Sequence, residues 1–289
     1  MEGRTLSLSN LDKVMYPDVG FTKGQVIDYY TRVAPVLLPH LRGHPLTLKR
    51  YPNGVEGQFF YEKQCPSHRP DWVSTAPIPT GRKTIDFCLC EDLPTLVWMA
   101  NLADLELHPS LSLAAAIERP TVMAFDLDPG EPAGIAECCE VAVLLRETLG
   151  SLGLECFPKT SGSKGLQVYA PLNRGEATYD DTKPLAQALA RHLEAQHPKL
   201  IVSTQKKELR KGKVLIDWSQ NDEHKTTVAV YSLRARERPT VSTPLLWEEV
   251  ERGDADALVF EAADLLERVE ERGDLFAPVA ESKQRLPDL

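Results

Sequence analysis

The stretch Thr121-Val122-Met123-Ala124-Phe125-Asp126-Leu127-Asp128-Pro129-Gly130 reads as a buried strand that ends in two carboxylates. Its apolar first half is typical of a strand inside a sheet, and Pro129-Gly130 ends it. Side chains alternate along a strand, so Asp126 and Asp128 point to the same face, about 7 Å apart at Cα. Carboxylates this close repel each other unless a cation lies between them, and their oxygens suit Mg²⁺ or Mn²⁺. Taken alone, Asp-x-Asp more often marks a strand end whose acids only reach solvent.

Two further segments favour the metal interpretation. The first, Thr160-Ser161-Gly162-Ser163-Lys164-Gly165-Leu166-Gln167-Val168-Tyr169, places a loop of small residues before an alternating strand. Its N–H groups, hydroxyls and lysine have the chemistry of a phosphate cradle, although a polar hairpin turn is the better explanation of the loop alone. The second, Lys213-Val214-Leu215-Ile216-Asp217-Trp218-Ser219-Gln220-Asn221, is another apolar strand that ends in a carboxylate. If the strands are neighbours, three acids and the cradle fit two-metal phosphoryl transfer.

The composition indicates a soluble globular protein. With 289 residues the chain can bury a large core, as one big domain or two small ones. No run of about 18 apolar residues suggests a membrane span, and the first residues, Met-Glu-Gly-Arg-Thr, contain no apolar signal region. We therefore expect a cytoplasmic location and no membrane partner.

The cysteines indicate a reducing environment. The chain has six of them and no Cys-x-x-Cys pair, so the pattern does not favour a structural zinc site. We expect reduced thiols that pack as small apolar side chains. The residues concerned are Cys65, Cys88, Cys90, Cys138, Cys139 and Cys156.

The net charge of −9 is unusual for a protein that binds nucleic acid, but the charge is unevenly distributed. Residues 248–289 contain 13 acids and 5 bases, a net of −8, which leaves −1 for the other residues. Residues 199–238 hold 10 bases against 5 acids, with a cluster between Lys206 and Lys213. Basic charge on one loop can neutralise phosphates even in an acidic protein. A solvated surface loop is the alternative, but the position just before Asp217 favours a loop that contacts phosphates.

Hydrophobic periodicity predicts an α+β protein. A helix is expected to begin after Thr22, and others to cover residues 92–103, 132–150, 180–196 and parts of 247–276. Strands are expected around residues 46–50, 59–61, 84–90, 121–128, 166–170, 213–217 and 226–232. The alternation in the centre resembles a ferredoxin-like or RNA-recognition-type core. We expect one compact domain, with an N-terminal α/β lobe at about 1–105, a catalytic core at about 106–240 and C-terminal helices at about 241–289.

The three motifs together resemble those of the polymerase domain of bacterial ligase D, which belongs to the archaeo-eukaryotic primase superfamily and serves DNA end joining. The resemblance covers about residues 6–279, and it is specific because the motifs occur in the family's order and spacing. Apart from the three motifs, the matching segments are Asn10-Leu11-Asp12-Lys13-Val14-Met15-Tyr16-Pro17, Lys49-Arg50-Tyr51-Pro52-Asn53-Gly54-Val55, Leu107-His108-Pro109, Tyr231-Ser232-Leu233-Arg234 and Trp247-Glu248-Glu249-Val250.

The resemblance implies a primase-polymerase fold, a two-metal site for Mn²⁺ or Mg²⁺, and roles for single residues. The residues implied to be catalytic and metal-binding are Asp126, Asp128 and Asp217, with His108 near the metal. The residues implied to bind the nucleotide are Ser161, Lys164, Gln167, Lys225, Arg234 and Phe59, the last by stacking on the incoming base or the template. The residues implied to hold the 5′-phosphate of a DNA break are Asn10, Lys13 and Lys23, and Arg210 lies in the family's mobile DNA loop. Without the resemblance, His108 would be interpreted as a capping or core histidine and Phe59 as sheet core.

One residue departs from the family pattern. The family usually has a histidine that contacts nucleotide phosphate where this chain has Gln167. Glutamine can donate a hydrogen bond there but carries no positive charge. The departure concerns the binding of the triphosphate and leaves the fold unaffected.

The implied function is a template-directed polymerase that extends primers and fills gaps at DNA breaks from NTPs or dNTPs, with a preference for ribonucleotides. The chain is too short for the ligase and phosphoesterase domains of a full ligase D, so the resemblance implies a stand-alone homologue in the bacterial cytoplasm, associated with the nucleoid. A separate ligase and a Ku-like protein would then be its partners, beside DNA with gaps or ends. Two alternatives stay open: a primase that starts chains without a primer, and a non-catalytic module that bridges DNA ends.

Overall fold

A computed structural model describes residues 1–81 and 83–287. The chain divides into two compact units, each built from three segments. The first unit comprises Met1–Ala115, Thr226–Ser242 and Phe260–Asp274. The second comprises Ala116–Lys225, Thr243–Val259 and the segment from Leu275 onward. The units are discontinuous in sequence, so they differ in their bounds from the predicted lobes, and the single-domain organisation stays a prediction.

The described part of the first unit combines two antiparallel sheets with α-helices. Its strands are β1 (Val14–Tyr16), β2 (Phe21–Thr22), β3 (Leu46–Arg50), β4 (Phe60–Glu62), β5 (Thr75–Thr80), β6 (Lys83–Cys88) and β7 (Asp104–Pro109). Its helices are α1 (Lys23–Leu37), α2 (Leu93–Asn101) and, from the returning segment, α6 (Ala262–Arg272).

Strand β3 is the centre of the first unit. It pairs antiparallel with β4, β6 and β7, while β5 and β6 form a hairpin at the edge, and β1 pairs only with β2. Helix α1 begins where the sequence predicts, because Thr22 caps it: its hydroxyl accepts a hydrogen bond from the Gln25 N–H, and the Gln25 side chain accepts one from the Thr22 N–H. The buried face of α1 carries Val26, Tyr30 and Val33, which anchor it to the core.

The second unit is an alternation of strands and helices around one mixed sheet, which is antiparallel except at β11. Its strands are β8 (Val122–Pro129), β9 (Phe157–Thr160), β10 (Leu166–Pro171), β11 (Ile201–Val202) and β12 (Val214–Asp217). Its helices are α3 (Ile135–Ser151), α4 (Tyr179–Gln196), α5 (Trp247–Arg252) and α7 (Ala277–Glu281).

The sheet of the second unit has the order β11-β12-β8-β10-β9, so the strand quoted first in the sequence lies at its centre. Residues 122–125 are all buried, as the continuous apolar run predicts for a strand covered on both faces. Helices α3 and α4 both pack against β8. The pairing of β8 with β10 and β12 is antiparallel, and β11 pairs parallel with β12.

The strand predictions need correction in two ways: one predicted strand is absent, and an observed strand, β9, was not predicted. Residues 226–232 do not form a strand: Thr226 makes an isolated bridge with Ser110, and the Leu107 N–H bonds to the Ser232 hydroxyl instead of a backbone carbonyl. The sequence also gave no prediction of β9, because Pro158 lies within it. A proline is tolerated there since β9 is an edge strand of the sheet.

The expectation that all six cysteines are reduced is wrong for two of them. Cys65 and Cys88 form a disulfide, with their Cα atoms 4.9 Å apart. They are 23 residues apart in sequence, and they meet because the Cys65 N–H donates to the Asp86 carbonyl and so aligns the segment after β4 with β6. The other four cysteines are buried free thiols.

Of the helices in the described part of the chain, none is both long and apolar enough to cross a membrane.

Candidate active site

The sheet register of the second unit brings the three predicted carboxylates together. Asp217 on β12 lies directly opposite Asp126 on β8, and Asp128 follows two residues later on the same face of β8. Directly opposed residues of an antiparallel pair have their Cβ atoms about 4.5–5.5 Å apart. The prediction that these strands are neighbours is therefore correct, and the three acids share one face of the sheet. Their catalytic role stays a prediction.

The surroundings of Asp126 make its carboxyl group hard to ionise. Burial and the negative charge of Asp128 raise its pKa to about 7, and Asp217 adds to this effect. A hydrogen bond from Gln167 and the positive charge of Lys159 act in the opposite direction. A carboxyl group with this pKa holds a proton near neutral pH, which a divalent cation could displace.

Asp217 is held by the turn that follows β12. Its Oδ1 accepts hydrogen bonds from the Ser219 N–H (2.9 Å) and hydroxyl (2.6 Å), and its Oδ2 accepts one from the Gln220 side chain (3.1 Å). The Lys225 ammonium donates to the same Ser219 hydroxyl. Asn221 fixes the turn to β8 through both backbone groups of Ala124.

The three acids fit a divalent metal in their chemistry and position, since all offer hard oxygen ligands from one sheet face. Within residues 1–81 and 83–287, however, no three His, Cys, Asp or Glu side chains converge as a ready metal cage. Both oxygens of Asp217 accept hydrogen bonds from the turn, Oδ1 from Ser219 and Oδ2 from Gln220. Oδ2 accepts a single one of the described hydrogen bonds, so it keeps a lone pair that a metal ion could use.

The predicted phosphate cradle is the loop between β9 and β10, and hydrogen bonds within the loop hold its shape. The Ser161 hydroxyl accepts hydrogen bonds from the N–H groups of Ser163 and Gly165, both at 3.2 Å. Lys164 is exposed and pairs with Glu131. Gly165 is required by a close approach: a Cβ there would lie 2.0 Å from the Leu127 carbonyl oxygen. The loop thus lies against the strand that bears Asp126 and Asp128.

Gln167 lies in the sheet beside Asp126 and is buried. Its Nε2 donates to Asp126 Oδ1 (3.0 Å), and its Oε1 accepts from the buried ammonium of Lys159 (2.5 Å). The structure therefore shows contacts of Gln167 that the sequence did not suggest, while its predicted contact with nucleotide phosphate stays a prediction.

In the first unit, His108 belongs to a cluster around Glu106, which is 2 % exposed. Glu106 Oε2 accepts from His108 Nε2 (3.0 Å), and Arg234 Nε lies 3.4 Å from the same oxygen. Oε1 accepts from Lys49, from the Tyr51 hydroxyl and from the Ala235 N–H. Although burial acts against ionisation, the bond from His108 and the charges of Arg234 and Lys49 hold the pKa of Glu106 well below its usual range.

The predicted stacking residue Phe59 is half exposed, which excludes the alternative that it belongs to the sheet core. Its ring stacks on Tyr51 with centroids 5.3 Å apart and meets the edge of Tyr61. The Lys49 ammonium lies 4.7 Å from the Phe59 ring centroid. Together these side chains form an exposed aromatic surface over a cation, suited to stacking against a base.

The three residues predicted to hold a 5′-phosphate lie at the start of α1. The Lys13 N–H bonds to the Asn10 carbonyl, and the Lys23 N–H bonds to the Lys13 carbonyl. Lys23 donates its ammonium to the Ser9 carbonyl (2.7 Å). Burial lowers the pKa of Lys23, and the nearby charge of Lys13 lowers it further. Two lysines beside a helix N-terminus provide the charge that an anion prefers.

Arg210 lies in the basic loop between β11 and β12, and the loop is tied to the end of β8. The Gly130 N–H donates to the Lys213 carbonyl, and the Gly212 N–H donates to the Gly130 carbonyl, both at 2.8 Å. A Cβ on Gly130 would lie 2.1 Å from the Arg210 carbonyl oxygen. The basic loop is therefore anchored two residues after Asp128.

Comparison with known proteins decides the family. Residues 22–276 match the family model described as LigD, primase-polymerase domain. The chain belongs to the LigD primase-polymerase family. Its α+β fold is also that of a solved member: the polymerase domain from Mycobacterium tuberculosis ligase D in complex with DNA superposes with a TM-score of 0.91 at 38% identity, over 97% of this chain and 99% of that chain.

Curated relatives of this LigD-family chain are longer proteins. The multifunctional non-homologous end joining protein LigD of Mycolicibacterium smegmatis is 42% identical over 94% of the chain and 36% of its own length. The bifunctional LigD of Bacillus subtilis is 32% identical over 93% of the chain and 43% of its own length. The chain thus spans less than half the length of these LigD relatives.

Two residues that contact predicted site residues were missed by sequence reasoning, Glu106 in the first unit and Lys159 in the second. Glu106 follows the same strand alternation as His108, two residues away, so the spacing along β7 could have indicated it. Lys159 gave no such signal: a single lysine next to proline is typical of a loop, and only the pairing of β9 with β10 puts it beside Gln167.

Proposed function

We propose that this chain is a template-directed nucleotidyltransferase that extends primers and fills gaps at DNA breaks during non-homologous end joining. The observation that carries the proposal is the set of three carboxylates, Asp126, Asp128 and Asp217, on one face of the sheet of a LigD primase-polymerase family member. Its relatives are named as non-homologous end joining proteins, which supports the same conclusion.

Asp126, Asp128 and Asp217 would hold Mn²⁺ or Mg²⁺. Bound there, the ions would activate the attacking hydroxyl and stabilise the charge of the leaving group, as in other two-metal nucleotidyl transfers. The metal role predicted for His108, which lies in the first unit, stays a prediction. Within the second unit, the triphosphate of an incoming NTP or dNTP would be bound by Lys225, Lys164, Ser161 and Gln167. The nucleotide contacts predicted for Arg234 and Phe59, which lie in the first unit, stay predictions. Arg210 and the lysines of the same loop would contact the DNA backbone.

Recognition of a break would use the cluster of Asn10, Lys13 and Lys23. Burial and, after it, the charge of Lys13 lower the pKa of Lys23, and a phosphate at the start of α1 would offset both effects. A downstream 5′-phosphate should then tighten DNA binding about tenfold or more, since a charge-assisted contact contributes roughly 1.5–3 kcal/mol. A Ku-like protein and a DNA ligase would complete the repair as partners.

The test is primer extension on a gapped duplex with a 5′-phosphate, with Mn²⁺ or Mg²⁺ and with rNTPs or dNTPs. Wild-type protein should extend the primer, and the sugar preference follows from the relative rates. Asp128→Ala should abolish nucleotide addition and leave DNA binding nearly intact. Glu140→Ala, which removes an exposed acid of α3, is the matched control and should change neither.

Near-wild-type extension by Asp128→Ala would show that the catalytic assignment is wrong. Products made on single strands without a primer would favour a primase. DNA binding without any addition by the wild-type protein would favour an end-bridging module. Binding that is independent of the 5′-phosphate, or equally affected by Lys13→Gln and by the exposed control Lys83→Gln, would argue against break recognition through this cluster.

A further inference from the structure

A row of four polar side chains crosses the sheet of the second unit. In register, Asp217 on β12 lies opposite Asp126 on β8, Asp126 opposite Gln167 on β10, and Gln167 opposite Lys159 on β9. Directly opposed residues project to the same face, so the row begins at the proposed metal ligands and ends at a buried lysine. Asp126 accepts one hydrogen bond among the described residues, and it comes from Gln167.

Lys159 is fully buried, which is unusual for a lysine. The segment that follows Ser242 covers it, because Lys159 forms a bridge with Pro244 and the Thr160 N–H donates to the Thr243 carbonyl. Its ammonium donates to Gln167 Oε1 and lies 5.3 Å from the centroid of the Tyr169 ring. A buried charge is costly, so a lysine at this place needs a function that offsets the cost.

The ammonium determines which way the Gln167 amide faces. Lysine can only donate, so the carbonyl oxygen of the amide must point to Lys159 and its NH₂ group must point to Asp126. A neutral donor is thereby fixed against Asp126 Oδ1. A lysine in direct contact with Asp126 would form an ion pair and compete with a metal ion for the carboxylate, whereas an amide does not.

The same arrangement occurs on the neighbouring strand. The Lys225 ammonium donates to the Ser219 hydroxyl, and this hydroxyl donates to Asp217 Oδ1. Each of the two opposed carboxylates is thus reached by a lysine through one neutral side chain. Positive charge stays near the carboxylates without occupying them.

We propose that Lys159 and Gln167 are positioning residues for Asp126: Lys159 fixes the orientation of the Gln167 amide, and the amide holds the Asp126 carboxylate for the divalent ion. The inference rests on the proposed function, since it assumes that Asp126 binds the metal. It gives Gln167 a role in metal binding, beside the phosphate contact that its position in the motif implies.

The test measures the Mn²⁺ affinity of the whole chain without nucleotide or DNA, from the electron paramagnetic resonance signal of free Mn²⁺. Lys159→Met and Gln167→Met should each weaken Mn²⁺ binding about fivefold, the effect of one lost hydrogen bond. The Mn²⁺ affinity of the double variant should not fall below the lower of the two single-variant affinities, because both residues act through the same contact. Lys159→Arg should restore most of the affinity, since it keeps a donor directed at the amide oxygen.

Gln167→Glu separates the contact of residue 167 with Lys159 from its hydrogen bond to Asp126. Its carboxylate can pair with Lys159 but cannot donate to Asp126, so Mn²⁺ binding should weaken at least as much as in Gln167→Met although the lysine keeps its partner. If Gln167→Met does not fold because Lys159 is left buried without its amide partner, the double variant gives the same information, since both polar groups are then gone.

Additive losses in the double variant, or unchanged Mn²⁺ affinity in Lys159→Met, would overturn the proposal. A raised KM for the nucleotide with unchanged Mn²⁺ affinity would also overturn it and would leave Gln167 as a phosphate ligand. Asp128→Ala separates this failure from that of the proposed function. If Asp128→Ala abolishes Mn²⁺ binding and Lys159→Met does not weaken it, only the positioning role fails, whereas a wild-type chain that binds no Mn²⁺ would refute both.

Discussion

Glu106 shows how one buried carboxylate can organise several functional groups. It accepts hydrogen bonds from Lys49 and His108, and it lies beside the Arg234 guanidinium. Because a carboxylate can only accept, the bond from His108 fixes the hydrogen of the imidazole on Nε2 and leaves the lone pair on Nδ1. Burial lowers the pKa of His108 although Glu106 acts in the opposite direction, so the ring is neutral near pH 7. A neutral imidazole is the form that can bind a metal.

Replacing Glu106 by glutamine should destabilise the first unit by about 3 kcal/mol, because the mostly buried cations Lys49 and Arg234 lose a fully buried counter-charge and an amide hydrogen faces a donor. The measurement is the free energy of unfolding in urea. Glu62→Gln is the matched control: Glu62 pairs with Arg50 on the same sheet but is 25% exposed, so its loss should cost less than about 1 kcal/mol. Equal losses in the two variants would contradict the central role of Glu106.

Position 165 must be glycine because a side chain there would collide with strand β8. The strand β8 passes so close that an added Cβ would lie 2.0 Å from the Leu127 carbonyl oxygen. Gly165→Ala should therefore destabilise the protein by about 1–3 kcal/mol or more, as overpacking does. Gly150→Ala is the opposite control, since Gly150 lies in α3 with no atom near its Cβ position, and alanine should stabilise that helix by about 0.5–1 kcal/mol. Chemical denaturation of both variants checks the pair, and a neutral Gly165→Ala would contradict the close approach.

Among the elements, the pair of β3 and β7 positions the whole Glu106 cluster. Their register sets Lys49 opposite Glu106 and Thr47 opposite His108. Backbone pairing alone does not hold the ends of the two strands. His44, two residues before β3, binds through Nδ1 to the Ser110 carbonyl just after β7, at 2.9 Å. Desolvation lowers the pKa of His44 to about 4, against 6.5 for an ordinary histidine.

This shift predicts a pH dependence of stability. The unfolded chain binds a proton at His44 below about pH 6.5, whereas the folded chain does so only below about pH 4. Stability should therefore be complete above pH 6.5 and fall between pH 6.5 and pH 4, by up to about 3 kcal/mol, since each pKa unit corresponds to about 1.4 kcal/mol. Unfolding of His44→Asn across this range should show a smaller slope. The same slope in variant and wild type would assign the acid sensitivity to other groups.

For the whole molecule, the uneven charge distribution reconciles a negative net charge with the proposed DNA binding. The net charge of −9 comes almost entirely from residues 248–289, while the basic loop is anchored at Gly130, next to the carboxylates. Lys206, Lys207 and Lys211 are exposed, so their charges are available to phosphates. Local charge decides phosphate contacts because salt screens interactions beyond about 8 Å at physiological ionic strength.

DNA affinity should fall steeply with salt, with a slope of log K against log salt of about −0.9 for each phosphate contact. The triple variant Lys206→Gln/Lys207→Gln/Lys211→Gln should flatten this slope by up to about 3 units if each lysine contacts one phosphate. Lys283→Gln removes one positive charge from the acidic C-terminal segment, against three in the triple variant, and should leave the slope unchanged. A wild-type slope near zero, or an equal effect of Lys283→Gln, would show that the basic loop does not face DNA.

The sequence by itself determined the α+β class, the central strand that bears Asp126 and Asp128, the start of α1 at Thr22 and the second strand that delivers Asp217. These features follow from signals within a few residues of each other: alternation of period two, an apolar run, a capping box. Local geometry is enough for them because the backbone repeats every two residues in a strand and every 3.6 in a helix.

Only the tertiary structure decided which side chains touch. The order β12-β8-β10-β9 aligned Asp217, Asp126, Gln167 and Lys159 in one row, although about 90 residues separate the first two. The same holds for Glu106 with Arg234 and for the disulfide between Cys65 and Cys88. These contacts depend on strand pairing between distant segments, and pairing is selected by the burial of the whole sheet, which no local window of the sequence contains.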